Sequence, residues 1–120
     1  MEILIKYGAD SISSEEFNKF NVLFVTDAKN SKRAVVKSNG TSGDCSIILD
    51  NGANYNYIAN EKAIYRDSEK IAKNIVIFNA TLVNNDDTNN KNVVKVKIGT
   101  GKDSSQPNFG KTINYVLRYW

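Results

Sequence analysis

Phe17, Phe20, Phe24 and Ala28 recur at steps of three and four residues, and nothing else in this 120-residue chain restricts its fold as tightly. At 3.6 residues per turn the four side chains stand on one face of a helix, so residues 13–32 are predicted helical. Leu23 and Asn21 flank the stripe, and Glu15, Glu16, Lys19, Asp27 and Lys29 lie mostly off it. Ser13, followed three residues later by Glu16, fits a capping box in which each side chain satisfies a backbone donor at the helix start. A stripe of three phenylalanine rings does not face water. Burying each ring contributes roughly 1.5–3 kcal/mol, so the helix needs a sheet to lie on.

Beyond residue 32, apolar and polar residues alternate as half-buried strands require. Residues 33–38, 44–50, 53–60 and 63–66 read as four short strands. Cys45, Ile47 and Leu49 share one face of the second, and Tyr55 and Tyr57 one side of the third. Asn51-Gly52 between them is a two-residue hairpin signal, because both residues tolerate positive φ. Residues 67–74 read as a polar connection with Ile71 and Ala72 tucked in. Residues 75–83 read as the longest strand, with Val76, Phe78, Ala80 and Leu82 on one face and Ile75 and Ile77 on the other. Residues 84–92 hold no apolar side chain and read as a solvated hairpin loop. Residues 93–99 put Val94, Val96 and Ile98 inward and Lys95 and Lys97 outward, which describes a sheet with one wet face. A Gly/Ser loop over 100–111 leads to a last strand over 112–120, with Ile113, Tyr115, Leu117 and Tyr119 on one face. The expected fold class is α+β, with one N-terminal amphipathic helix packed on an antiparallel β-meander. The length leaves room for one two-layer core. Residues 1–120 therefore read as a single domain, with 1–12 a lead-in broken at Gly8, 13–32 the helix and 33–120 the strands.

Composition excludes much chemistry. The chain has no histidine and one cysteine, Cys45. A nucleophile would lack its usual base, no intrachain disulfide can form, and the common zinc sites lack their ligands. Cys45 itself reads as a small buried apolar residue in a strand. Gly110-Lys111-Thr112 ends like a phosphate-binding loop, but Ser105 stands where the leading glycine belongs, and a strand follows in place of a helix. Asp86-Asp87 lacks the spaced carboxylates and closing glutamate of a calcium loop. Glu15-Glu16 is explained by the helix start and its dipole. No catalytic, cofactor-binding or metal-ligating residue is assigned, and an enzyme is not expected. A net charge of +3, from 16 basic and 13 acidic residues, is too small and dispersed to expect nucleic acid as a partner. No run approaches the roughly 20 apolar residues that span a bilayer. Tyr55, Tyr57, Tyr65, Tyr115 and Tyr119, with Trp120, read as sheet-face packing, the other reading being a platform for sugars or a partner.

The run Tyr57-Ile58-Ala59-Asn60-Glu61-Lys62-Ala63-Ile64-Tyr65-Arg66, then Lys70-Ile71-Ala72-Lys73-Asn74-Ile75, then Phe78, is similar to a pattern of minor pilins and pseudopilins. In that pattern a "LYR"-like strand follows a turn, a polar link enters "IAxNV", and a long strand carries an inward phenylalanine. The helix-then-meander order over residues 14–100 also resembles this superfamily of type IV pilus and type II secretion subunits. The likeness is greatest to the J-type (W-type) minor subunits in a Gram-positive, clostridium-like form. The resemblance implies a structural subunit without catalytic activity or cofactor, which assembles into or primes a filament at the cell surface. It implies other pilin or pseudopilin subunits as partners, and membrane contact only through an apolar N-terminal anchor that this sequence lacks. A free-standing binding or virion module with a tyrosine-rich sheet face is the alternative expectation.

Overall fold

Burial of the phenylalanine stripe organises the molecule. The computed structural model describes the backbone of residues 2–41, 43–85, 90–101, 107 and 109–117, and the side chains of these from residue 14 on, save 84, 85, 90 and 91. The helix α1, Glu2–Lys29, turns Phe17, Phe20, Phe24 and Ala28 inward, none of them more than 4% exposed. Its start differs from the one expected at Ser13. A glycine inside a helix costs only about 1 kcal/mol, too little for Gly8 to end one. Ser13 therefore lies within α1, and the Glu16 carboxylate serves a tertiary contact in place of a cap. The helix closes at Lys29, short of residue 32, where the Asn30 and Ser31 amides bond back to the Asp27 and Ala28 carbonyls.

Five short strands follow: β1 Ala34–Ser38, β2 Cys45–Leu49, β3 Asn54–Ile58, β4 Ala63–Arg66 and β5 Glu69–Ala72. They pair antiparallel in sequence order as one sheet. Three longer ones, β6 Ile75–Asn85, β7 Asn90–Thr100 and β8 Phe109–Val116, form a second antiparallel sheet, also in sequence order. The expected α+β fold, one helix on one meander, is thereby corrected: the chain is sheet-dominated, with eight strands in two separate sheets and a single helix among the described residues. The physical reason lies between residues 67 and 75. Residues 69–72, expected in a polar connection, pair with β4 as an edge strand. The chain then turns at Asn74, φ 58°, a left-handed conformation that asparagine tolerates better than most residues. The Asn74 carbonyl accepts the Gly101 N–H at 2.9 Å, and the Ile75 N–H donates to the Lys62 carbonyl at 2.9 Å. Those groups are thus engaged elsewhere, and β6 opens a new sheet.

Two local registers also depart from expectation. Ile75 pairs with Thr100 and Ile77 with Gly99, so Val76 is an extra residue, a β-bulge. The bulge turns both Ile75 and Phe78 into the core, 0% and 3% exposed, although strict alternation sets them on opposite faces. At the β2–β3 hairpin only Gly52 takes positive φ, at 103°. The Leu49 N–H bonds the Ala53 carbonyl, closing a three-residue loop in place of the expected two-residue turn. β8 starts at Phe109, inside the expected long loop. Tyr119, Trp120, Ser105 and Asp86-Asp87 lie outside the described residues.

One core serves both sheets. The Phe20 ring meets Tyr55 of the first sheet edge-on at 5.6 Å between centroids, and Phe78 and Tyr115 of the second at 5.5 and 6.3 Å. At 1.5 Å per residue a 28-residue helix is about 42 Å long. In a molecule of 49 × 29 × 24 Å it must follow the long axis.

Candidate functional site

Among the described residues, the densest polar cluster lies where α1, the β2–β3 turn, β3 and β4 converge. Asp27 stands three residues after Phe24, on the buried side of α1, and is 6% exposed. Arg66, at the end of β4, donates to it from Nε at 2.9 Å and from Nη2 at 3.1 Å. Asn51 donates from Nδ2 at 3.0 Å, and the Tyr55 hydroxyl donates to Oδ2. Burial alone would raise the carboxyl pKa, but the bonds from Arg66, Tyr55 and Asn51 outweigh it and hold the group below its ordinary value. Burial, and then Asp27 itself, push the Tyr55 hydroxyl far above the usual phenol range, so it remains a donor.

A second buried carboxylate, Glu16, is 5% exposed. It accepts the Lys73 backbone N–H at 2.8 Å and the Lys19 Nζ at 2.7 Å, tying the helix to the chain just after β5. Tyr115 donates to Asn21 Oδ1 at 2.6 Å, and Tyr57 to the Ile75 carbonyl at 2.7 Å. Apart from the Lys19–Glu16 pair within α1, every one of these polar contacts joins elements of the fold. None places a nucleophile beside a base, and Cys45 is buried in β2 with the Ser38 hydroxyl 3.7 Å from its sulfur. Among the described residues no three His, Cys, Asp or Glu side chains gather as a metal site, and no described helix is long and apolar enough to cross a membrane.

Three of the described tyrosines pack inward, as the sheet-face reading expects, and form no surface platform. Tyr55, Tyr57 and Tyr115 point into the core, 0%, 4% and 6% exposed. Tyr65 alone of the described tyrosines lies on an outer sheet face, its hydroxyl bonded to Glu61 at 2.6 Å. Sequence reasoning also missed the Asp27 cluster. Its signal was a carboxylate three residues from Phe24, within the arc that the stripe buries. The partner Arg66 was not legible, because it is 39 residues away and reaches Asp27 only through the pairing of β3 with β4.

Among the described residues, two shallow grooves are open for recognition. An open groove of about 580 Å³ runs between the solvent side of α1 and edge strand β5, over Val22, Leu23 and Ile71, with Glu15, Lys19, Glu69 and Lys70 around it. Val22 is 64% exposed, the most exposed large apolar side chain among the described residues. A smaller groove of about 270 Å³ separates α1 from β8, over Val25, Ala28 and Ile113. On the outer face of the first sheet, Val35 and Ile48 stand opposite each other, 50% and 37% exposed. Compared with protein-family models, with curated proteins and with solved structures, the chain matches none.

Proposed function

We propose that this chain is the head domain of a non-catalytic structural subunit of a cell-surface filament, of the minor pilin or pseudopilin kind, whose partners are other subunits of that filament. The observation that carries the reading is Val22, 64% exposed over the α1–β5 groove on the helix whose other face builds the core. A valine so exposed, with Leu23 and Ile71 beneath it and charges of both signs around it, has the apolar centre and polar rim of a protein contact. The residue pattern from Tyr57 to Phe78 supports the same reading. It falls on the end of β3, on β4 and β5, and on the start of β6.

The test is fractionation. Filaments sheared from the native cells should carry the full-length protein. A Val22→Asp variant should fold normally, because the side chain is exposed, and yet be lost from the sheared fraction. Recovery of wild type only in the cytosol, or of the variant in filaments at the wild-type level, overturns the reading.

A further inference from the structure

The three strands of the second sheet contain no aspartate or glutamate. On its outer face, register sets Asn79, Lys97 and Thr112 in one cross-strand row and Thr81, Lys95 and Asn114 in the next. All six residues are exposed. The lysines stand two residues apart on one face, about 6.6–6.8 Å along β7. Like charges so placed repel, and the stabilising neighbour would be a carboxylate directly across the ladder. Each lysine instead has an amide on one side and a hydroxyl on the other. No ion pair among the described residues involves either lysine. Lysine often guards a sheet edge against stray pairing. That role does not apply here, because β7 is the central strand of the three.

We infer that this face is a binding surface for an acidic polysaccharide. The lysines meet its carboxylate or sulfate groups, and Asn79, Thr81, Thr112 and Asn114 exchange hydrogen bonds with its hydroxyls. The charge of the face selects an anion. Its chemistry selects the kind of anion: the two rows hold no aromatic ring on which a nucleic-acid base could stack, and the apolar residues in the rows beside them, Ile77, Val83, Val93 and Val116, are none of them exposed as the centre of a protein interface would be. The inference is independent of the filament reading, since the α1–β5 groove shares none of these residues.

Binding of the purified protein to polygalacturonate, dextran sulfate, neutral dextran and poly-glutamate, measured by calorimetry at low and moderate salt, tests it. Wild type should bind at least one of the two acidic polysaccharides, less tightly as salt rises, and should not bind dextran. Preference between the two reports whether carboxylate or sulfate is the group recognised. Lys95→Gln with Lys97→Gln should weaken that binding at least tenfold. Lys37→Gln with Lys73→Gln, which makes the same change in net charge elsewhere on the surface, should leave it within twofold. Asn79→Ala with Thr112→Ala should weaken polysaccharide binding several-fold, with circular dichroism unchanged. Failure to bind either acidic polysaccharide overturns the inference. So do equal losses in the two lysine pairs, or poly-glutamate binding as tightly as the polysaccharides, which would mark an acidic protein as the partner.

Discussion

Asp27 concentrates the cost of folding this chain at a single side chain. A carboxylate 6% exposed is tolerated only because Arg66, Tyr55 and Asn51 all donate to it. Removing one partner of a buried ion pair costs about 3–5 kcal/mol. The Arg66 side chain is 35% exposed and can turn to water, so Asp27→Asn should fall near the low end, about 3 kcal/mol by urea unfolding at pH 7. The pH dependence follows from the direction of the shift. The folded carboxyl has a pKa below its ordinary 3.8, so near that pH the folded state binds fewer protons than the unfolded state. Its stabilisation is therefore complete above about pH 4 and is lost as pH falls through the folded value. The stability gap between wild type and Asp27→Asn should be constant from pH 5 to 7 and narrow below pH 4. A gap that widens toward acid would contradict this account.

At the scale of elements, the β6 bulge and Gly99 are one device. A Cβ built on Gly99 would lie 3.1 Å from the Ile77 Cβ, tight enough that Ile77 must give by a few tenths of an ångström, and its Cβ can do so only with the backbone to which it is fixed. The missing side chain lets β6 carry its extra residue at Val76 and bring Ile75 and Phe78 to the same side. Gly99→Ala should cost roughly 1–3 kcal/mol by overpacking. Ile77→Gly in the same chain should recover part of that loss, measured as a coupling in a double-mutant cycle. Additive costs would separate the two residues. The α1 stripe belongs to this scale too and was readable in full, since four apolar residues at helical spacing admit one face. β5 was not readable. Two of its four residues are charged and no alternation runs through it, and it is a strand only because β4 offers it an edge.

At the scale of the molecule, Phe20 joins what the topology separates. The two sheets share no backbone ladder, and this ring touches both. Phe20→Ala should cost about 3–5 kcal/mol, the usual range for emptying a buried ring site. It should also uncouple the sheets, so that amide exchange quickens in β3 and in β7 and not in one sheet alone. Protection lost only in the first sheet would mean that the second holds to the helix by other contacts.

The sequence alone determined the elements whose pattern is local. The buried face of α1, the alternation in β7 with its outward lysines, and most of the short strands follow from apolar spacing over a few residues. Tertiary structure decided the rest. It continued α1 back to Glu2 past a glycine too weak to stop it. It made two sheets where one was expected, because Asn74 turns the chain out of the ladder. It drew Arg66 to Asp27 and left a lysine pair without an acid across the strand. Each of these depends on residues far apart in the chain meeting in space, and no short window of sequence contains both partners.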